Sequence, residues 1–305
     1  MTHNFPPDLA MLAPMLYMPA DRHDLVSVLE GRLDIGVCSI AVCLEDAVRP
    51  ENRKRAASAL CSILKTLDAT PRAIFVRPAD FDALDWLLNY LPVEKIAGFI
   101  LPKATVQSIH TWIEKSCGLY TIMPILETRE VLDHFGRREL AQACAAHPSS
   151  IPGARIGAND LFSLLGGLRR PKQRTIYETP VGHLVDGLLE AFSAKGVRLC
   201  APVCDRIEDH EILRREVGED IQRNLFSKTA IHPRQVHAIW DAYRPSPSEA
   251  EEARLILRPD APAVFGLNGD MLEPACHGEW AHRLLYRNYL HKAAEQSLQA
   301  PFLLP

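Results

Sequence analysis

Short apolar runs alternate with amphipathic stretches about eight times along this chain, and no other feature constrains its fold as strongly. The runs are almost continuously apolar, which is typical of strands buried on both faces. They lie at residues 15–18, 37–44, 72–76, 97–101, 120–126, 154–157, 197–203 and 225–231. Helix-like segments between them include residues 53–67, 80–90, 106–117, 130–146, 181–195 and 206–217. Eight such units predict a parallel sheet that closes into a (β/α)8 barrel.

The last third of the chain departs from this alternation. After residues 233–243 come a helix-like stretch at 246–257, a short apolar run at 263–267 and a final helix at about 276–297. Ser246 or Ser248 is placed to cap the first of these helices. We therefore predict a barrel catalytic domain at residues 1–245 and a C-terminal extension at 246–305, which packs on the barrel or on a neighbouring subunit.

Size and charge exclude several classes of protein. A chain of 305 residues suits one large α/β barrel or two ordinary domains. Its net charge of -4 provides no basic field for nucleic acid and no polybasic membrane anchor. It lacks both an apolar run of roughly 18 residues and the basic start of a signal peptide, so we expect a cytoplasmic protein. None of the eight cysteines forms a C-x-x-C pair, which favours buried thiols over disulfides or a zinc site.

Polar residues follow most of the apolar runs, at the points where the predicted strands end. In a (β/α)8 barrel these positions surround one mouth, where active sites are built. The residues are Glu45, Asp46, Arg77, Lys103, Glu127, Asn159, Asp160 and His232. We therefore expect their side chains to meet at a single site.

Glu127 and Asp160 are the candidate metal ligands. Two carboxylates held close together repel each other unless a proton or a cation lies between them. Magnesium takes one or two protein carboxylates and fills its other positions with water and substrate oxygens. Bound in this way, it polarises a carbonyl and stabilises a developing enolate. Either residue alone is equally well a salt-bridge partner or a helix cap, and Asp160 in particular precedes a helix-like stretch.

Arg77 is the candidate binder of a substrate carboxylate, because its guanidinium can bond a carboxylate through two nitrogens. An ion pair with Glu45 or Asp46 is the alternative, and both arrangements are compatible in an empty site. We expect Glu45 and Asp46 to fix Arg77 and the waters around the metal rather than to bind the metal directly.

Three further residues have competing interpretations. Lys103 could form a Schiff base, as in some barrel aldolases, although a metal site makes that route redundant. Lys228 lies within the eighth predicted strand and could bond locally for structure. His232 occupies the position of a general base, but a histidine before proline at a strand end is also often structural.

At these residues the sequence resembles the citrate lyase β-subunit-like proteins of the HpcH/HpaI aldolase family. The motifs, in chain order, are LYMPA (16–20), LEDAV (44–48), FVRP (75–78), LPK (101–103), PILET (124–128), GANDLF (157–162), KTAIHPRQV (228–236) and GDMLEP (269–274). The resemblance implies a TIM barrel of the phosphoenolpyruvate/pyruvate type with a C-terminal helical extension. It also implies a homotrimer or homohexamer.

The resemblance assigns roles to individual residues. Magnesium is held by the Glu of PILET and the Asp of GANDLF, which are Glu127 and Asp160 here. The Arg of FVRP, Arg77, binds the substrate carboxylate. In several relatives an Asp of the GDMLEP-like motif enters a neighbour's site as acid or base, and Glu273 takes that position in this chain. Members cleave citryl-, malyl- or citramalyl-type thioesters or run the reverse condensation.

The chain departs from the family pattern on the coenzyme A side. Ala13-Pro14 replaces the Arg-Ser that begins the family's first strand and helps to hold the acyl thioester. Ala79 replaces an Asn, and Cys43 replaces an Asp. The departures leave the metal residues intact but leave the use of a coenzyme A thioester open.

The segment at 166–180 is rich in arginine. Arg169, Arg170 and Arg174 could clamp a phosphate or carboxylate, or they could form a solvated basic loop. The whole pattern is similar to a divergent branch of lyases encoded alongside tellurite-resistance genes.

Together these features predict a magnesium-dependent carbon–carbon lyase that cleaves a small hydroxy-carboxylate or its thioester by a retro-aldol or Claisen-type reaction. Malate-synthase-like condensation or thioester hydrolysis at the same site is the first alternative. A catalytically weak binding or scaffolding barrel is the second, and a Schiff-base aldolase using Lys103 is the third.

Overall fold

Eight parallel strands form the framework of the protein. The structure, a computed structural model, describes residues 11–68 and 70–299, with side chains up to residue 295. The strands are β1 (Met15–Pro19), β2 (Ser39–Cys43), β3 (Ile74–Arg77), β4 (Gly98–Leu101), β5 (Ile122–Leu126), β6 (Gly153–Ile156), β7 (Arg198–Cys200) and β8 (Thr229–Ala230). Strands β1 to β7 pair in chain order, and β1 also pairs with β8 through Met15 and Thr229.

One further bridge closes the ring. Ala201 pairs with Lys228 in parallel, and the Ala201 N–H donates to the Ser227 carbonyl at 2.7 Å, which joins the ends of β7 and β8. Strands β2 to β6 are buried along their whole length, as continuous apolar runs require. The predicted (β/α)8 barrel is confirmed.

Helices alternate with the strands around the barrel. They are α1 (Leu25–Leu29), α2 (Arg53–Thr66), α3 (Phe81–Tyr90), α4 (Val106–Lys115), α5 (His134–Ala145), α6 (Ala158–Leu164), α7 (Pro180–Ser193), α8 (His210–Gln222) and α9 (Pro233–Ala242). Several begin at a polar cap that satisfies free backbone donors. The Asp80 carboxylate, for example, accepts the Ala83 N–H at 2.8 Å.

Two predicted helices differ from the observed ones because of such caps. The predicted helix at 130–146 is divided, and α5 begins after Asp133, whose carboxylate accepts the Gly136 N–H at 2.9 Å. Likewise α8 begins after Asp209, which accepts the Ile212 N–H at 3.0 Å, and not at residue 206. Conversely, α6 begins earlier than expected, so Asp160 lies in its first turn and does not precede it.

The chain divides into two compact units, the first ending at Ala242 and the second beginning at Tyr243. The second unit contains α10 (Pro247–Ile256), the antiparallel strands β9 (Phe265–Leu267) and β10 (Asp270–Leu272), and α11 (Pro274–Gln299). Ser246, one of the two residues predicted to cap this helix, forms a reciprocal capping box with Glu249 at the start of α10. The domain boundary after residue 245 and the packing of the extension stay predictions.

The hairpin formed by β9 and β10 was not predicted. Asn268 and Gly269 connect its strands, and both have positive φ angles, 55° and 95°. Asn-Gly is the sequence most typical of a two-residue hairpin turn, so the signal was present in the GDMLEP region. The two strands are three residues each, too short for periodicity alone to reveal them.

All eight cysteines are free thiols, and six of them are buried. Within the described part of the chain, every helix is too short or too polar to cross a membrane.

Candidate active site

Six of the eight polar residues predicted at the strand ends come together at one mouth of the barrel, and no ion pair or hydrogen bond in the described part of the chain connects Asn159 or His232 to them. Glu45 and Asp46 follow β2, Arg77 ends β3, Lys103 follows β4, and Glu127 follows β5. Asp160 lies in the first turn of α6, directly after β6. We call these six residues the mouth cluster: Glu45, Asp46, Arg77, Lys103, Glu127 and Asp160.

Ion pairs connect the mouth cluster. Nη2 of Arg77 is paired closely with Glu45, and it lies 3.3 Å from Oδ2 of Asp46 and 3.8 Å from Oε1 of Glu127. Nζ of Lys103 lies 2.6 Å from Oε1 of Glu45. The ion pair with Glu45 or Asp46, which was the alternative to carboxylate binding for Arg77, is therefore present with both residues.

Backbone geometry fixes Glu127. Lys103 has a positive φ angle of 47°, and its N–H donates to Oε1 of Glu127 at 2.8 Å. Gly157 lies against the other side of the same carboxylate, because a Cβ at that position would be 2.0 Å from Oε2 of Glu127. The glycine of GANDLF, Gly157, is therefore required by the close approach of Glu127.

The carboxyl group of Glu127 has a raised pKa. Its side chain is 3% exposed, and burial raises its pKa from 4.5 to about 7. Arg77 and the Lys103 N–H oppose that rise, whereas the negative charges of Asp160 and Glu45 add to it. A nearby cation would stabilise the charged form of this carboxyl and lower its pKa.

The mouth cluster has an excess of negative charge. It contains four carboxylates against two cationic side chains, Arg77 and Lys103. Asp160 acts electrostatically on both Glu127 and Lys103, which places its charge within this group. A divalent cation would balance the excess, and an all-oxygen donor set suits a hard ion such as magnesium. The residues present therefore fit the metal that the sequence predicts.

The protein offers this ion few ligands. Among the described residues, no group of three or more His, Cys, Asp and Glu side chains is arranged to hold a metal. Two carboxylates are fewer than that, and magnesium commonly binds one or two carboxylates and completes its shell with water and substrate oxygens.

Tyr17 and Arg155 line the barrel interior beside the mouth cluster, and sequence reasoning missed both. The ring centroid of Tyr17 lies 6.0 Å from Cζ of Arg77 and 5.9 Å from Cζ of Arg155. Burial raises the pKa of the Tyr17 hydroxyl, and the charges of Arg155 and Arg77 oppose that shift. The available signal was a polar or charged side chain within an otherwise apolar run, Tyr17 in β1 and Arg155 in β6.

A second charged group lies away from the mouth, and it contains two residues that the sequence singled out. Nζ of Lys228 lies 3.2 Å from Oε1 of Glu216 and 3.0 Å from Oδ2 of Asp220, and all three side chains are fully buried. Arg170 pairs closely with Glu216, and the Tyr177 hydroxyl donates to Asp220. We call these five residues the closed cluster: Arg170, Tyr177, Glu216, Asp220 and Lys228.

The closed cluster bears on two predictions. Lys228 does bond locally, as its sequence position suggested. Arg170 is buried and paired with Glu216, so it is not placed in an open anion clamp or in a solvated loop. Arg169 and Arg174 are exposed, and an anion-binding role for this segment stays a prediction.

The two acid/base candidates lie in ordinary local structure. Nδ1 of His232 accepts the Arg234 N–H at 3.2 Å at the start of α9, a structural arrangement. Glu273 precedes α11 in the second unit, where its carboxylate accepts from the Cys276 thiol at 3.1 Å. The catalytic roles of both residues stay predictions.

Known proteins resemble the chain along most of its length. The family model described as a C–C bond lyase of the TIM-barrel fold matches residues 8–292. A (3S)-malyl-CoA thioesterase of Cereibacter sphaeroides is 28% identical over 242 residues, covering 78% of this chain and 79% of the relative. A citrate lyase subunit beta-like protein of Mycobacterium tuberculosis is 26% identical over 265 residues, covering 85% and 89%. The link to tellurite-resistance gene clusters stays a prediction.

Solved structures share the barrel. The crystal structure of CitE from Mycobacterium tuberculosis with magnesium, acetoacetate and coenzyme A has a TM-score of 0.71 and 24% identity, covering 92% of this chain and 99% of that chain. A citrate lyase beta subunit from the same organism, complexed with oxaloacetate and magnesium, has a TM-score of 0.62 and 23% identity, covering 78% and 100%. At these identities the likeness shows the fold. With the family match over nearly its whole length, this chain belongs to the C–C bond lyase family of the TIM-barrel fold.

Proposed function

We propose that this protein is a magnesium-dependent carbon–carbon bond lyase that cleaves a small hydroxy-carboxylate, or its acyl thioester, by a retro-aldol or Claisen-type reaction. The observation that carries the proposal is the excess negative charge around the buried Glu127 carboxyl, whose pKa is raised to about 7. The family provides the reaction class. Relatives solved with magnesium and oxaloacetate or acetoacetate support both the metal and the substrate class.

Glu127 and Asp160 would hold the magnesium ion. When bound there, the ion supplies electrostatic stabilisation for negative charge that develops on substrate oxygens. The Lys103 N–H keeps one oxygen of Glu127 in place at 2.8 Å, so the carboxylate does not have to reorganise when the ion arrives. Glu45 and Asp46 form ion pairs with Arg77 and Lys103.

Arg77 would bind the substrate carboxylate. Its side chain is 10% exposed, and its Nε is buried without a hydrogen-bond partner among the described residues. Such an orphaned donor costs free energy, and a ligand oxygen can recover it. A substrate carboxylate that competes with Glu45 for this guanidinium would orient the bond to be broken.

The reaction needs one group that removes and returns a proton. The base takes the proton from the substrate hydroxyl, the adjacent carbon–carbon bond breaks, and its electron pair stays on the departing fragment until that fragment is protonated. Glu273 from a neighbouring copy of the chain is the first candidate for this group, and His232 is the second.

Calorimetric titration of the chelator-treated protein with magnesium, in the presence of oxaloacetate, pyruvate or glyoxylate, tests the proposal. We expect wild-type protein to bind the oxoacid only with magnesium, and Glu127→Gln and Asp160→Asn to lose that binding. Asp85→Asn is the matched control, because Asp85 pairs with Lys115 on the outer helices. Full magnesium affinity in either active-site variant would contradict the ligand assignment, and no binding in the wild type would favour a scaffolding barrel.

Thioester hydrolysis at the same site is a second candidate, favoured by the likeness to a (3S)-malyl-CoA thioesterase. The two reactions leave different products, since hydrolysis releases a free hydroxy acid and the thiol, whereas cleavage of the carbon–carbon bond releases an oxoacid and a shorter thioester. Product analysis with malyl- and citramalyl-type thioesters separates them. A free hydroxy acid without any oxoacid would support hydrolysis.

A further inference from the structure

Tyr17 occupies an unusual position for a tyrosine. It lies in the middle of β1 and packs against the cluster of apolar side chains that fills the barrel, which includes Met15 and Phe75. Among the residues that the structure describes, none forms a hydrogen bond with its hydroxyl. The side chain is half-buried, and its hydroxyl is not one of the buried polar atoms that lack a partner, so it is accessible to a ligand. A phenylalanine would provide the same packing but no hydroxyl to donate.

The surroundings of the Tyr17 ring are cationic. The guanidinium carbons of Arg77 and Arg155 lie 6.0 and 5.9 Å from its centroid. Arg77 belongs to the mouth cluster, and Glu127 is among the charges that act on the Tyr17 hydroxyl. The phenol is therefore adjacent to the residues proposed to hold substrate and metal.

Arg155 is a buried cation whose hydrogen-bond partners are both uncharged. Its side chain is almost fully buried; Nη2 donates to Oγ1 of Thr229 at 2.6 Å and Nη1 to Sγ of Cys200 at 3.3 Å. Both partners are uncharged, Nε has no partner, and the guanidinium forms no ion pair with any described residue. A buried charge is usually paired, so this one favours an anion that arrives from outside the chain.

We propose that Tyr17 is a further substrate-contacting residue, whose hydroxyl donates a hydrogen bond to an anionic oxygen of the bound oxoacid or hydroxy acid. Arg155 is the positioning residue that stacks near the ring from the barrel interior and adds positive charge there. This role rests on the proposed function and adds to it a donor between the mouth cluster and the barrel core. It leaves the proton chemistry to other groups.

Tyr17→Phe removes only the hydroxyl, and calorimetry with magnesium and glyoxylate or oxaloacetate measures the result. We expect oxoacid binding about 10- to 100-fold weaker than in the wild type, the usual range for losing a hydrogen bond to a charged group. The urea midpoint should be unchanged or higher, because the hydroxyl has no partner in the protein. Tyr90→Phe, on the exposed face of α3, is the matched control and should change neither quantity.

Arg155 is tested by charge rescue. Arg155→Met should weaken oxoacid binding at least 10-fold. Arg155→Lys keeps the positive charge and should recover part of the lost binding. This recovery should be seen even where the two variants have similar urea midpoints. Equal binding by the two variants would overturn the positioning role, because a purely structural residue gives no such rescue.

The outcomes separate this inference from the proposed function. Wild-type binding that is lost in Glu127→Gln but retained in Tyr17→Phe overturns the role of Tyr17 and leaves the metal site standing. Weaker binding by Tyr17→Phe together with a lower urea midpoint also overturns it, since the hydroxyl would then serve the fold. No oxoacid binding by the wild type overturns both proposals.

Discussion

The mouth cluster and the closed cluster contain the same kinds of side chain in opposite surroundings. In the closed cluster, Glu216, Asp220 and Lys228 are fully buried, and each carboxylate has a cation beside it. In the mouth cluster, the side chains of Lys103 and Asp46 are 51% and 59% exposed, and carboxylates outnumber cations. The closed cluster is balanced internally, whereas the mouth cluster needs a further cation.

This difference in burial and charge balance distinguishes residues that stabilise the fold from residues that bind a ligand more clearly than residue type does. In a buried group whose charges are paired internally, removal of one member leaves an uncompensated charge in the interior. An open and unbalanced group costs stability when empty and recovers it when a ligand binds. We therefore expect substitutions in the closed cluster to affect folding, and substitutions in the mouth cluster to affect binding.

The largest expected effect is on the stability of Lys228→Met. Removing this cation leaves Glu216 and Asp220 buried without it, which we expect to lower the free energy of unfolding by about 3–5 kcal/mol. Lys103→Met is the matched control, and the half-exposed position of its side chain should limit its effect to less than about 1 kcal/mol. Urea unfolding of both variants measures the difference. Equal losses would remove the distinction between the two clusters.

The next effect is a pH dependence of stability caused by Glu127. Its pKa is about 7 in the folded protein and 4.5 for the unperturbed group, so between these pH values the folded state holds a proton that the unfolded chain has released. The free energy of unfolding should therefore fall as the pH rises through this window, by roughly 3 kcal/mol at about 1.4 kcal/mol per pH unit.

The comparison of chelator-treated wild type with Glu127→Gln isolates this dependence, because the other titrating groups cancel in the difference. Urea unfolding at about pH 5, 6 and 7 should show the wild type losing stability relative to the variant. A constant difference would mean that burial does not hold Glu127 protonated.

The smallest of the three effects concerns Gly157. An added Cβ would meet Oε2 of Glu127, so Gly157→Ala should displace that carboxylate, weaken magnesium binding and cost about 1–3 kcal/mol of stability, as overpacking does. Gly218→Ala in α8 is the matched control, because nothing lies within 4 Å of its added Cβ. It should stabilise the helix by about 0.5–1 kcal/mol. Unchanged metal affinity in Gly157→Ala would show that the glycine does not define the site.

Much of the barrel was predictable because its signals are local. Apolar runs located the eight strands, although the seventh and eighth are shorter than their runs, in part because Pro202 cannot donate to a neighbouring strand. Asp133 and Asp209 cap two helices that begin later than predicted. A polar cap can therefore set the start of a helix inside an amphipathic stretch that hydrophobicity alone would assign to the helix. The six residues of the mouth cluster were identified from their positions after the strands.

The roles of individual lysines and arginines were not predictable in the same way. Lys103 and Lys228 both stand near strand ends, yet one is half-exposed at the mouth and the other is fully buried. Arg170 lies in a segment that reads as a basic surface loop, but it is 5% exposed. Burial depends on what the rest of the chain packs over a residue, and that information is not local.

The sequence by itself determined the order of strands and helices, and it placed acidic and basic groups where the strands end, because both follow from short-range patterns. Only the tertiary structure decided which charges share a site. Glu45 meets Lys103 58 positions away, and Arg155 meets Thr229 74 positions away. The free energy of a charge depends on its distance from other charges and on its exposure to water, and closure of the barrel sets both.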